Sequence, residues 1–275
     1  MRCVTLTLQE AADQLGVHYM TIYRWVRTGK LPATKQGSSW SVRKADLDAL
    51  SAPAEATKPA ARPRADHAGR LARRLMAGDE AGSMAVAEAA LAGGMDPEAL
   101  YFDVLAGAMV IIGDGWHAGT VSVAEEHQAT AIMHRLLGRL SRNFTRRGRR
   151  RGTIILGAVA GDPHGLPGAF VADPLRGRGF AVIDLGPDTP PEAFVHAAAD
   201  ADGLVAVALT VSVSATDPVR DTVAALRAAG VTAPVVVGGA AIPDEETARG
   251  LGADHWARNG RRALELLSPG PAGPG

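Results

Sequence analysis

The spacing of apolar and polar positions changes twice along the 275-residue chain, and each change marks a different kind of element. In residues 6–50, Ala11, Ala12 and Leu15 predict one short amphipathic helix. Ile22, Trp25 and Val26 predict an inward face for a second, through "HYMTIYRWVRTG", with Gly16 and Val17 turning between the two and Gly29 stopping the second. "ATKQGSSWSV" then predicts a hairpin around Gly37. Residues 51–66, "SAPAEATKPAARPRAD", have no apolar period and read as an Ala/Pro-rich linker, partly extended by its prolines.

From 67 to 143 apolar positions recur every three or four residues, the pattern of an antiparallel helical bundle. Its stretches are "AGRLARRLMAGDEAGSMAVAEAALAGGMD", "PEALYFDVLAGAMVIIGDGWHAG" and "VAEEHQATAIMHRLLGRLSRNF". Pro97 stands where a first helical position places it, and Ser122-x-x-Glu125 is a capping box that starts the last helix at 123. From 152 the period changes again. "TIILGAVA", "FAVIDLG", "GLVAVALTV" and "APVVVGG" are short continuous apolar runs separated by helical stretches, which predicts a parallel sheet with crossover helices. Chemistry in such sheets collects in loops at the C-terminal strand ends, and the first of these loops is "GDPHGLPG", residues 161–168.

The expected fold class is therefore multidomain, α and α/β. A winged helix–turn–helix occupies 1–50, a linker 51–66, a helical bundle 67–148, and a doubly wound, Rossmann-like parallel-sheet domain 152–268. Aromatics make up only 4% of the residues, so aliphatic side chains and alanine must fill the cores. The single cysteine, Cys3, excludes an internal disulfide framework and a cysteine-based zinc site. No apolar run reaches the length of a membrane span and no signal-peptide core is evident, so a soluble, cytoplasmic chain without membrane partners is expected.

Zero net charge hides an asymmetry. Residues 1–50 carry seven Lys/Arg against four Asp/Glu, and residues 135–151 hold eight arginines and no acid. From 152 onward eight basic residues face fourteen acidic ones. The front half suits polyanions and the back half does not. The basic run at 142–151 reads either as a second phosphate-contacting surface or as a solvated joint.

The core "TIYRWVRTGKLPA" resembles the excisionase-like branch of the MerR DNA-binding superfamily, and the resemblance covers the whole first segment. It implies a double-stranded DNA operator as partner, with the second helix in the major groove. The DNA-facing residues it points to are His18, Thr21, Arg24, Arg27 and Lys30, with Lys35 and Arg43 on the wing.

In the loop after the first parallel strand, Asp162 stands two residues before His164, where a carboxylate can orient an imidazole and raise its basicity as a metal ligand. "GDPHGLPG" resembles the D-x-H-x-x-G signature of cobalamin-binding domains. The resemblance implies His164 as the lower axial ligand of cobalt, with the displaced nucleotide tail entering a slot lined by small residues. Gly238 and Gly239 in "VVVGGAA" match that slot, and "GADHW" matches the domain's ending. Pro167 stands where the signature has its glycine, which is delayed to Gly168. The family's S-x-L is replaced by "ALTVSVSA", which offers Thr210, Ser212 and Ser214.

"WHAGTVSVAEEH" places nine residues between Trp116 and Glu126-His127. That spacing is similar to the signature of CarH-type photoreceptor repressors, which use adenosylcobalamin as the light-sensing cofactor. The resemblance implies a bundle that caps the cofactor's upper face, with Trp116 against the adenosyl group and Glu126 and His127 in the same pocket. It also implies that His117 takes the cobalt once that group has left, and a homotetramer of paired dimers that dissociates on photolysis. His134 reads as helix surface or core, and His196 and His255 carry no motif. The expected function is light-dependent repression of transcription, and the chain itself is not expected to be an enzyme. Three alternatives stay open: a regulator that senses cobalamin level without light, a corrinoid methyl carrier, and a DNA-binding protein whose α/β domain no longer binds cofactor.

Overall fold

The computed structural model describes residues 5–15, 19–27, 30–36, 39–51, 66–146, 148–213 and 216–268. These fall into two compact units. One holds the residues up to Asp66 together with His117–Thr120, and the other holds His67–Trp116 and the residues from Val121 on.

In the small unit, strand β1 (Thr5–Thr7) leads into the helix Leu8–Leu15, followed by the helix Tyr19–Arg27. Strands β2 (Ala33–Gln36) and β3 (Ser39–Arg43) precede the helix Lys44–Ser51. The three strands are antiparallel in the order β1-β3-β2, with Thr5 opposite Arg43 and Ala33 opposite Val42. β1 is an addition to the elements expected from the sequence. Thr7 and Glu10 explain why the chain turns helical there: the Glu10 carboxylate accepts from the Thr7 N–H at 2.8 Å, and the Thr7 hydroxyl accepts from the Glu10 N–H at 3.2 Å. Leu8, Ala11, Ala12, Ile22, Leu31, Val42 and Leu47 are buried, with Trp25 and Val26 packed partly against them. The expected turn at Gly16–Val17, the helix stop at Gly29, the hairpin tip at Gly37 and most of the linker lie outside the described residues.

The bundle consists of helices His67–Met76, Glu80–Ala92, Pro97–His117 and Val123–Leu140. The first expected helical stretch is in fact two helices, because Gly78 takes a positive φ of 70° and Asp79 caps the next helix by accepting from the Gly82 N–H. Asp96 caps the third helix, with Pro97 at its start. That helix widens to a π-type turn over Leu100–Leu105. On length and composition it is apolar enough to cross a membrane, which corrects the expectation that no stretch reaches that span. Asp103 and Asp114 interrupt the run in sequence, and Leu100, Tyr101, Val104, Leu105, Ala108 and Ile112 are buried in the bundle core. At the fourth helix, the Ser122 hydroxyl accepts from the Glu125 N–H while the Glu125 carboxylate accepts from the Ser122 N–H.

The α/β part has five parallel strands: β4 (Thr153–Ala158), β5 (Ala181–Asp184), β6 (Leu204–Thr210), β7 (Val235–Gly238) and β8 (His255–Ala257). Their order is β5-β4-β6-β7-β8, so the winding reverses between β4 and β6. Residues alternate between two faces, as pleating requires. Ile154, Leu156, Ala206 and Ala208 pack toward the helices Leu166–Gly177 and Gly260–Leu267, while Ile155, Val207 and Leu209 pack with Phe194, Val219 and Leu226. β8, absent from the expected strands, is only three residues long.

The helix Pro97–His117 seats the bundle on this sheet. Leu166 and Phe170 of the first α/β helix enter the bundle core, and the buried Tyr101 hydroxyl donates to Asp173 at 2.9 Å. Arg178 grips Glu98 with two bonds of 2.9 Å, and Arg261 meets Asp103 at 2.7 Å.

Candidate cobalamin site

In open α/β sheets ligands bind outside the carboxyl ends of the strands, at the point where the strand order reverses. Here that point lies between β4 and β6, and the 161–168 loop leaves β4 beside it. Gly161 turns the chain with a φ of 80°, and the Asp162 N–H closes onto the Val159 carbonyl at 3.0 Å. Asp162 is fully buried and uses both oxygens. Oδ1 lies 2.6 Å from His164 Nδ1 and accepts from the His164 N–H at 3.0 Å, and Oδ2 accepts from the Ser212 N–H at 2.5 Å. One carboxylate thus ties the loop after β4 to the end of β6. The imidazole stays 54% exposed. With Nδ1–H donating to the carboxylate, Nε2 keeps its lone pair for a metal.

Asp188, which sequence reasoning missed, braces the loop from below. It adopts a φ of 49°, accepts from the Gly161 N–H at 2.6 Å and donates its own N–H to the Asp162 carbonyl at 2.8 Å. "GPDTP" signals a turn, but nothing local in it reveals a partner 27 residues away. Pro167 falls in the first turn of the helix Leu166–Gly177, where its missing N–H needs no partner. The departure from the signature therefore leaves the loop intact. Gly168 packs below it, where a Cβ would meet Leu156 at 3.2 Å.

The sheet end beside the loop is cut back to backbone. A Cβ on Gly238 would stand 2.8 Å from the Ala257 carbonyl oxygen. Gly239, at a φ of 116°, would drive one into the Val211 backbone. Thr210 Oγ1, at the C-terminal end of β6, is buried without a hydrogen-bond partner among the described residues. A buried polar atom without a partner, next to glycines that no side chain can replace, fits a slot that receives a polar ligand tail. If the site takes a corrinoid, His164 would hold its metal through Nε2, with Asp162 orienting the ring. Ser214 lies outside the described residues.

At the bundle, Trp116 and His117 are the last two residues of their helix, and Glu126 and His127 lie in the first turn and a half of the next. The Val121 N–H donates to the Gly115 carbonyl at 3.1 Å and closes the connection, so Trp116, Glu126 and His127 share one end of the bundle. Trp116 is 46% exposed and the His127 side chain 75% exposed, whereas Glu126 is partly covered and accepts from the Thr130 hydroxyl at 2.9 Å. His134, two turns along from His127, comes beside the loop, since a Cβ on Gly165 would lie 3.9 Å from its ring. Seven residues of helix span about 10 Å, so Glu126 and His127 lie further along the helix that passes the His164 loop. His196 pairs with Asp200 at 3.3 Å, and His255 is exposed on β8.

In the small unit, His18 and the side chain of Arg24 lie outside the described residues. Thr21 and Arg27 are half-buried on the helix Tyr19–Arg27, and Lys30 is exposed with its ammonium 4.7 Å over the Trp25 ring. Lys35 and Arg43 are exposed on β2 and β3, and Arg43 also meets Asp46 at 2.7 Å.

Residues 5–50 match the Helix-turn-helix domain family, and residues 68–141 and 152–268 match two families each described as a B12 binding domain. Over 123 residues, 44% of this chain and 57% of the relative, the sequence is 31% identical to trimethylamine corrinoid protein 1 of Methanosarcina acetivorans. Over 119 residues, 41% and 53%, it is 34% identical to dimethylamine corrinoid protein 2 of the same organism. The chain thus spans little more than half the length of these curated relatives. In fold it is similar to the monomethylamine corrinoid protein of Methanosarcina barkeri, with a TM-score of 0.61 at 22% identity over 73% of this chain and 96% of that one. Read with the geometry around Asp162 and His164, these matches make the chain a cobalamin-binding protein that carries a helix–turn–helix DNA-binding domain.

Proposed function

We propose that the protein is a light-responsive transcriptional repressor with adenosylcobalamin as its chromophore. The observation that carries this reading is the end of the bundle: Trp116 and His117 close one helix, and Glu126 and His127 open the next, with the exact spacing of nine residues between Trp116 and Glu126. A bulky, half-exposed indole at that position suits an upper-face substituent with an aromatic ring of its own. The bound cofactor supplies a cobalt–carbon bond that light breaks. The chain's part is to hold and to read it. His164, oriented by Asp162, would ligate the cobalt from below, and Gly238, Gly239, Thr210 and Ser212 would receive the tail. Trp116, Glu126 and His127 would line the upper pocket, and His117 would take the cobalt when the upper face is vacated. A ligand shifts a two-state equilibrium only by its differential affinity for the two states, so contacts made to one upper-face substituent alone are sufficient to bias assembly. Thr21, Arg24, Arg27 and Lys30 would contact the operator, with Lys35 and Arg43 on the wing, and recognition would use two or more copies because one such module buries little surface.

The test is an absorption spectrum and size-exclusion profile of protein loaded with adenosylcobalamin, in the dark and after green light. A spectrum that changes together with a fall in mass supports the reading, and constant mass during photolysis defeats it. The corrinoid relatives favour a second reading, a methyl carrier serving a methyltransferase. That reading leaves the helix–turn–helix domain without a role.

A further inference from the structure

The cobalamin site makes no use of the arginine run at 142–151, which holds six arginines and no acid. Both ends of this strap are fixed. Phe144 is buried edge-on against Tyr101, with ring centroids 4.8 Å apart. At the other end the Arg151 N–H donates to the Gly179 carbonyl at 2.9 Å, and its guanidinium lies 4.5 Å over the Phe180 ring. Arg146 donates to the Arg178 carbonyl at 3.2 Å, so the strap is laid along the turn that precedes β5. The Arg146 contact goes to a carbonyl, which holds a guanidinium without neutralising it.

The contrast with neighbouring arginines is what gives the strap meaning. Arg135 and Arg139 share Glu80, Arg176 meets Asp173, and Arg178 meets Glu98. Among the described residues no carboxylate lies within 4.0 Å of Arg142, Arg146, Arg149 or Arg150, and all four are exposed. Residues 145–151, "TRRGRRR", offer no apolar side chain. A protein partner would want an apolar centre to its interface. A duplex offers what the strap does match, about one phosphate charge per 1.7 Å of axis, and guanidinium binds phosphate in a two-pronged fashion.

We infer that Arg142, Arg146, Arg149 and Arg150 form a second DNA-contacting surface, on the cobalamin-binding unit, that grips phosphates independently of sequence. The inference rests on the reading of the chain as a DNA-binding regulator. The test measures binding of the full chain to duplex DNA against salt concentration, for the wild type, for Arg149→Gln/Arg150→Gln, and for Arg27→Ala/Lys30→Ala in the helix–turn–helix domain. Neither Arg149 nor Arg150 makes a side-chain hydrogen bond among the described residues, so the first variant should fold, and a thermal melt checks it. Its log–log salt slope should fall by about two, at a cost that is the same for operator and random duplex. The helix–turn–helix variant should keep residual random-duplex binding that disappears when both sets are combined. If the slope of Arg149→Gln/Arg150→Gln equals that of the wild type, the strap does not hold DNA and its charge faces an acidic protein surface instead. If the wild type itself binds no duplex, the regulator reading fails, which is a separate result.

Discussion

Asp162 and His164 are held 2.6 Å apart, the carboxylate fully buried and the imidazole half exposed. The buried partner is anchored in turn by the Ser212 N–H at 2.5 Å, so the orientation of the ring depends on where β4 and β6 end. A ligand imidazole whose other nitrogen is fixed in this way presents a single tautomer and a single direction.

Removing either partner should separate ligation from orientation. His164→Ala should leave the fold intact and release cobalamin during gel filtration, with a changed visible spectrum. Asp162→Asn keeps a hydrogen-bonding side chain but loses the charge, and should weaken retention about 10- to 100-fold. Retention and spectrum unchanged in His164→Ala would remove it as the lower ligand.

Trp116→Ala should retain cobalamin, because the lower ligand and tail slot are untouched, yet fail to form the dark assembly. Size-exclusion chromatography of the loaded variant in the dark is the measurement. Dark assembly as large as that of the wild type would take Trp116 out of the sensor.

Arg27→Ala and Lys30→Ala should each lower the salt slope of operator binding by about one unit, the loss of one phosphate contact. Lys30 already rests over the Trp25 ring, so its ammonium is partly preplaced for that contact. Operator affinity unchanged at low salt in both variants would show that the helix–turn–helix domain reads no DNA through them.

Tyr101→Phe tests the seating of the bundle on the sheet. Its hydroxyl is buried and donates to Asp173, and burial together with the Asp173 charge pushes its ionisation well above the ordinary tyrosine value. The phenol therefore stays a donor at every working pH. Deleting it leaves Asp173 with Arg176 alone and should cost about 1.5–3 kcal/mol, the worth of a hydrogen bond to a charged group. Thermal unfolding of the apo-protein should fall by several degrees, at about 2–4 °C per kcal/mol for a unit of this size.

The cap of the helix Val123–Leu140 should weaken in acid. The Ser122 N–H and hydroxyl both donate to Glu125 and hold its carboxyl below the ordinary glutamate range. A lowered native value means the cap's contribution is fully present above the ordinary glutamate range and is lost as pH falls through the lowered one. Ser122→Ala should lower the thermal unfolding temperature near neutral pH and visibly less in acid. A lowering that does not change with pH would show that the bond from the Ser122 hydroxyl to Glu125 contributes nothing, since the backbone N–H of residue 122 still donates to Glu125 in the variant.

The capping box at Ser122–Glu125, the helical start at Pro97 and the four apolar runs that became β4 to β7 were all legible in the sequence, because each depends on residues a few positions apart. So was the pairing of Asp162 with His164, since two residues of separation leave a carboxylate and an imidazole within reach. The split at Gly78, the strand β1 and the three-residue β8 were not, because short elements owe their stability to neighbours rather than to their own pattern. Only the tertiary structure decided that Ser212 and Asp188 brace the Asp162 loop from 50 and 27 residues away, and that Thr210 ends β6 as a buried hydroxyl without a partner among the described residues. The same holds for the arginines of 135–151, a uniform run in sequence that packing divides. Glu80 neutralises the two on the helix, whereas the exposed Arg149 and Arg150 have no carboxylate within ion-pair distance among the described residues.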